Sequence, residues 1–384
     1  MTMELGKMQR DFMAEARALL ARTRLVDGHN DLPYVIWARG TGGDVKLWDA
    51  RKLHPETDTD IPRLKAGLVS TQILTAFIPT MVETPIQDRL TVIDVMLQLE
   101  QLYPETFHPV LAPDDMAAAQ EAGKIGLFKA VEGLVGITST GALRLFHAMG
   151  IRLITLCHNE TLPFIDSATD HPGRRQGNRP LSPFGEEIVT EMERLGLIID
   201  LAHVSAPAQH AVMDVAKGPV MISHANARAL CDHPRNAPDD VIRRMADGGG
   251  IVMATFVPTF MEQPLYDTMK PLMDGLGKLR DEVDDETYRQ YKERAFQHFT
   301  TDGIDSLIRH IEHIRDLAGI ESVGIGSDFY GGPNPPGLDD ASTFPALFAR
   351  LMQRGWSTGD LEKLAGGNFE RLWRQVYRTH PAMA

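Results

Sequence analysis

The chain has 384 residues, 43% of them hydrophobic and 24% charged, which is the composition of a globular protein with a sizeable core and not of a disordered or fibrous one. A formal net charge of -13 with no basic run excludes a nucleic-acid backbone as the expected partner, because such binders concentrate Lys and Arg. Two cysteines, Cys157 and Cys231, are too few for a disulfide framework, and no apolar window reaches the ~18–20 residues of a membrane span, so a soluble cytoplasmic protein with no membrane partner is expected.

The first 24 residues alternate charge with apolar positions at helical spacing and predict an N-terminal amphipathic helix. Eight short apolar runs follow, each ending on polar or Gly/Pro punctuation: 24–29 (RLVDGH), 68–78 (LVSTQILTAFI), 125–132 (IGLFKAVE), 151–158 (IRLITLCH), 197–203 (LIIDLAH), 219–225 (PVMISHA), 250–256 (GIVMATF) and 322–328 (SVGIGSD). Most gaps between them hold a helical pattern, several closing on glycine. Near-continuous apolar strands alternating with amphipathic helices predict a parallel sheet covered by helices, and eight units favour an α/β fold of the closed (β/α)8 barrel type over an open doubly wound sheet. The units are unequal: residues 159–184 and about 257–300 are long insertions expected to form loops over the carboxyl end of the barrel. Neither a fixed-period repeat nor a linker between halves is visible, so one domain over 1–384 is expected.

Active sites of such barrels lie at the carboxyl ends of the strands. Those ends carry His29 with Asp31, Glu132, His158, His203, His224 and Asp328. Histidine is only 14 of 384 residues, yet four of the eight strand ends carry it, and it is the set, more than any one member, that points to a site. His29 and Asp31 are two apart, and in an extended backbone they would face one pocket together. Neutral imidazoles and carboxylates suit Zn2+ or a similar divalent ion, and two ions sharing a carboxylate can hold a hydroxide that is nucleophilic at neutral pH. Five ligands fit two ions if Glu132 bridges, with His29 and Asp31 on one and His203 and His224 on the other. Lys129 is an alternative bridge only if carbamylated, and its odd spacing from Glu132 turns it to the other side of the strand. The same parity turns Cys157 away from the pocket beside His158. His310 and His313 are three apart on a predicted helix and read as a solvated face; His54, His108, His147, His171, His210, His298 and His380 fall in helices or loops without a partner.

The segments DGHNDLP, AVEG, TLCHNE, IDLAHVS, ISHANARALCDHPRN, GIGSDF and NFERLW, in this order over about residues 24–375, resemble the membrane (renal) dipeptidase family, the M19 metallopeptidases of the amidohydrolase superfamily. The resemblance implies a (β/α)8 barrel with two Zn2+ per chain, hydrolysing dipeptides, often with a D-residue in the second position, by attack of a metal-bridging hydroxide. It also implies a homodimer. Carried over position by position, His29, Asp31, Glu132, His203 and His224 match the metal ligands, Asp328 the catalytic acid/base, His158 the histidine on the substrate carbonyl, and Arg235 the arginine that holds the substrate carboxylate. The same ligands also accept Mn2+, Co2+ or Fe2+. Another amidohydrolase activity or a non-catalytic metal-binding barrel are the alternatives, and the latter makes no use of Asp328 or His158. One departure stands out: the family commonly continues GxDFDG, whereas here SDFYGG places Tyr330 where a second acid is usual, which bears on the polar surroundings of Asp328 and on substrate preference.

Overall fold

The computed structural model describes residues 10–79, 82–170, 179–279 and 303–378, and for 272–279 the backbone alone. Its sheet is built from β1 (Leu25–Asp27), β2 (Val69–Ala76), β3 (Phe107–Val110), β4 (Ile125–Glu132), β5 (Ile151–Thr155), β6 (Ile198–Asp200), β7 (Met221–Ile222), β8 (Ile251–Ala254) and β9 (Val323–Ile325). Every pairing is parallel, in the order β1-β2-β4-β5-β6-β7-β8-β9. The Gly28 N–H donates to the Ile325 carbonyl at 2.9 Å, and Asn30 bridges Phe329 in parallel, so the ends of the sheet meet in a nearly closed eight-stranded (β/α)8 barrel.

The eight predicted runs are the eight barrel strands; β4 spans its run from end to end, and the other seven strands are shorter than theirs. One strand was not anticipated. β3, with sequence FHPV, pairs Phe107–Val110 against Ile125–Phe128, and β4 then passes the same edge to β5 from Lys129 onward. Four residues with a histidine and a proline carry no strand signature, and Pro109 lacks the N–H a longer ladder would need.

Alternation along β4 sets the two faces of the barrel wall. Phe128 and Ala130 point inward into a cluster with Val26, Ile73, Leu153, Ile198 and Met253, which the helix Asn368–Arg378 completes with Phe369 and Trp373. Trp373 meets Phe128 edge-on at 4.9 Å. Glu132 lies four residues beyond Phe128 on the same inward row, at the opposite end. Lys129 takes the outward row and pairs with Glu100 of the helix Pro85–Leu102, outside the barrel, as parity requires.

Helix starts follow local chemistry: Asp11, Asp60, Ser182, Ser205 and Ser357 each accept from a backbone N–H of the first turn, satisfying donors that have no partner inside the helix. The insertion before β9 is not simply loop, since it contains the helices Pro258–Met261 and Gln263–Leu279; the rest of it lies outside the described residues, as do His171, His298 and His380. Among the described residues no helix is long and apolar enough to cross a membrane.

Candidate metal centre

All the candidate side chains except Arg235, which lies in the long connection between β7 and the helix Asp239–Asp247, sit at, or just beyond, a strand's carboxyl end. Glu132 is the last residue of β4, while His29 and His224 lie two residues past β1 and β7, and His158, His203 and Asp328 three past β5, β6 and β9. His29 and Asp31 do meet, Nε2 to Oδ1 at 3.6 Å, but not through strand pleating. Asp31 has φ −92° and ψ 21° at the start of the helix Leu32–Ile36, so a turn brings the pair together where extended backbone was expected. His203 (φ 66°) and Asp328 (φ 60°) hold left-handed backbone, which is costly for residues with a Cβ and tends to persist where the surroundings fix it at a functional site. The Ala168 N–H donates to the His203 carbonyl at 2.7 Å, and around Asp328 its own N–H donates to His29 while its carbonyl accepts from Gly331. Gly326 is obligatory in the same turn, because a Cβ there would lie 1.8 Å from the Ser223 carbonyl oxygen.

The five expected ligands converge. Glu132 Oε1 lies 2.9 Å from His203 Nε2 and 3.5 Å from His224 Nε2, and its Oε2 lies 3.7 Å from His29 Nε2. Asp328 Oδ1 is 4.0 Å from the same His29 nitrogen. Three groups have ligand atoms within 4.8 Å of one another: His29, Asp31 and Glu132; Glu132, His203 and His224; and His29, His224 and Asp328. Glu132 belongs to the first two, as a carboxylate shared between two cations would. His29 Nε2, Asp31 Oδ1 and Glu132 Oε1 are buried with no hydrogen-bonding partner among the described residues, and buried polar atoms are rarely left so unless something else binds them. Imidazole nitrogens and carboxylate oxygens are suitable donors for Zn2+ and its neighbours, so this set fits the expected cations.

Electrostatics point the same way. Burial alone would lower His29, but the carboxylates of Glu132, Asp31 and Asp328 outweigh it and raise the imidazole to about 10. Burial pushes Glu132 upward and takes Asp328 up to about 7, with His29 opposing both. His203 and His224 are driven well below the usual imidazole range, by burial first and then by the nearby positive charges, Arg235 among them. Too little positive charge is present for three buried carboxylates, the imbalance a divalent cation would correct.

His158 forms one wall of the site, its ring 4.2 Å from that of His203 and 4.7 Å from that of Phe77; burial and Arg235 hold it at about 3, hence neutral. Arg235 is 5% exposed, with Nη1 lacking a hydrogen-bonding partner among the described residues and Nη2 donating to the His224 carbonyl over 3.4 Å. The phenol oxygen of Tyr330 accepts from the N–H groups of Asp58 and Thr59, at 3.2 and 2.9 Å, a service a carboxylate could equally perform. Cys157 is wholly buried, and burial raises its thiol. His310 is not solvated. It is 1% exposed, accepts from the Ala227 N–H and donates to the Met261 carbonyl, so it staples the helix Ile304–Ala318 to the loop past β7. Nor are His54 and His210 without partners: one stacks on Trp48 and the other lies 2.8 Å from Asp240.

Sequence reasoning missed an outer layer of polar residues. Asp27 ends β1 and accepts from the Ser327 N–H and Oγ, at 2.7 Å each, and from Gln72 at 2.8 Å. Asp200 ends β6 and gathers Thr155, Ala202 and Ser223. The trace in the sequence is modest: an acid shortly before His29 and His203, and a serine immediately before His224 and Asp328.

Comparisons with known proteins place the chain in a family and support its fold. The model of the membrane dipeptidase family (peptidase family M19) matches residues 13–384. A Schizosaccharomyces pombe protein named as an uncharacterized dipeptidase is 34% identical, the match covering 96% of this chain and 85% of that one. Among solved structures, a probable dipeptidase from Pseudomonas aeruginosa superposes with a TM-score of 0.82 at 23% identity, over 96% of this chain and 99% of that one. A metallopeptidase from Rhodobacter sphaeroides, solved with a phosphinate mimic of L-Ala-D-Ala, gives 0.76 at 20% identity over 92% and 99%.

Proposed function

The chain belongs to the membrane dipeptidase family, peptidase family M19, and from that premise we propose that it is a binuclear zinc dipeptidase acting on dipeptides, L-Xaa-D-Xaa among them. What carries this reading is the convergence of buried imidazole and carboxylate atoms without hydrogen-bonding partners on one rim, around a carboxylate common to two groups. His29 and Asp31 would hold one ion, His203 and His224 the other, and Glu132 both. Divalent ions bound there supply an ionised water at neutral pH and polarise a scissile carbonyl.

The chain's own residues do the rest. Asp328, at about 7, is poised to take a proton from the nucleophile and deliver it to the leaving amine, since acid/base catalysis is most effective when the group titrates near the working pH. Neutral His158 can donate an N–H to the developing oxyanion. Arg235 offers the fork of its guanidinium to the substrate's terminal carboxylate, which would restrict substrates to short ones. Inclusion of a D-residue follows the family resemblance. The reading takes 1–384 as one barrel domain, supported by the first helix, Phe12–Arg22, packing on Phe344–Gln353 and by the last one filling the barrel. Cys157 and Cys231, both buried free thiols, support a reducing compartment such as the cytoplasm.

The test is release of free amino acids by the zinc-loaded protein from a panel of L,L- and L,D-dipeptides, N-acetyl dipeptides, tripeptides and lactones. Turnover of dipeptides with a free terminal carboxylate is expected. Lactone hydrolysis without dipeptide turnover, or tight dipeptide binding without cleavage, would overturn the reading.

A further inference from the structure

Between the ends of β6 and β7 runs a chain of hydrogen bonds that no step of the proposed reaction uses. Asp200 and Ser223 are both wholly buried. Asp200 Oδ1 accepts from the backbone N–H of Ala202 at 3.0 Å and of Ser223 at 2.8 Å. Its Oδ2 accepts from Thr155 Oγ1 at 2.5 Å and from Ser223 Oγ at 2.6 Å. Two donors on each oxygen saturate a carboxylate and leave no lone pair for a proton. A serine hydroxyl has one proton, and that of Ser223 is committed to Asp200. Ser223 Oγ also lies 2.8 Å from Nδ1 of His224, where it can now only accept, so Nδ1 must carry the hydrogen. A neutral imidazole has a single N–H, which leaves Nε2 bare. Nε2 is the atom facing the site, 3.0 Å from His203 Nε2 and 3.5 Å from Glu132 Oε1.

We infer that Asp200, acting through Ser223, locks His224 in the Nδ1–H tautomer and thereby keeps Nε2 open to a divalent cation. The inference rests on the reading of His224 as a metal ligand. Asp200 and Ser223 are positioning residues, two hydrogen bonds and one removed from the cation. Outer partners of this kind are known to fix the tautomer and orientation of ligating histidines, and their loss typically costs about 10–100-fold in metal affinity. The direction of the proton is what separates this role from simple bracing of β5, β6 and β7, which any residue of the same shape could provide.

Asp200→Asn is the discriminating variant. An amide of nearly the same shape can keep its oxygen on the two backbone N–H groups and turn its NH2 toward Thr155 and Ser223. Ser223 would then accept from residue 200, and its own proton would have His224 Nδ1 as the remaining acceptor among the described residues. The tautomer inverts, and Nε2–H faces the site. Two readouts follow on folded protein, checked by circular dichroism. In metal-free protein carrying 15N-labelled histidine, two-bond 1H–15N correlations for His224 should report Nδ1–H in the wild type and Nε2–H in Asp200→Asn. In titrations with Zn2+ against a chromophoric chelator, Asp200→Asn should weaken one of the two ions about 10–100-fold, and Ser223→Ala, which leaves Nδ1 without its partner but forces no inversion, by less than that. An Nε2–H tautomer in the wild type, or an Asp200→Asn variant with unchanged tautomer and zinc affinity, would overturn the inference. A wild type that binds no zinc would instead sink the dipeptidase reading, and the tautomer measurement would still decide the relay.

Discussion

Replacing Arg235 by Met should separate recognition of the substrate carboxylate from every other function of the site. The guanidinium spends little of its hydrogen-bonding capacity inside the protein: among the described residues Nη1 has no hydrogen-bonding partner, and Nη2 makes one long bond of 3.4 Å to the His224 carbonyl. Truncation therefore leaves few protein groups unsatisfied, and the loss should fall on the substrate. Two charge-assisted hydrogen bonds at about 1.5–3 kcal/mol each set a loss of at least about 3 kcal/mol. At about 1.4 kcal/mol per tenfold, that is about 150-fold in kcat/KM. The assay compares a dipeptide with its C-terminal amide, which lacks the carboxylate. Wild type should prefer the acid by about that factor, Arg235→Met should level the two to within about threefold, and Arg235→Lys, with the charge but not the fork, should fall between. Metal content should not change. A variant that still prefers the acid as strongly as wild type would refute the assignment and the geometric reasoning behind it.

His310 is held at about 4 by burial, with Arg309 and His313 adding to the effect and its bond to Met261 opposing it. Its folded pKa lies below the unfolded value, so its contribution is complete above about 6.5 and is lost as pH falls through about 4, a change of about 3 kcal/mol; denaturation curves for wild type and His310→Gln should differ in pH slope by that amount across this window, and parallel slopes would contradict it. Arg89 is fully buried with one bond to the Val135 carbonyl at 3.0 Å, and burial lowers it to about 10. Its desolvation, about 3 kcal/mol, nearly cancels that bond, so Arg89→Met should leave stability within about 2 kcal/mol of wild type in urea unfolding, and a loss above about 4 would show that the guanidinium has a counter-charge. Tyr330→Phe removes the acceptor of two backbone N–H groups and should cost about 2 kcal/mol of stability while leaving zinc stoichiometry alone; lost zinc would tie Tyr330 to the site directly.

The barrel was legible because eight apolar runs are separated by amphipathic helices, and burial of both strand faces prints itself on composition. β3 was not, since a four-residue strand containing Pro109 is defined by the β4 edge it fills and not by its own side chains. The ligand set could be read because strand ends in a barrel converge whatever the loops do, which brought His203 and His224 together from 21 positions apart. Asp31 reached the site by a helix start where a strand had been expected, a choice governed by Pro33 within the first turn. The partners of Asp27 and Asp200 lay beyond sequence reasoning, because each bonds a serine just past the end of a neighbouring strand, and side-chain pairing across a barrel is a tertiary property. The burial of His310 is not legible for a related reason: helical spacing places it on a face, but only the packing of the 226–237 loop decides that this face is covered.

The most direct test of the account is an anomalous difference map from crystals of the zinc-loaded protein, collected on both sides of the zinc edge. It should contain two peaks about 3.5–4 Å apart, one bonded to His29 and Asp31, the other to His203 and His224, with Glu132 reaching both. No peaks at that rim, or zinc bound by other side chains, would contradict it.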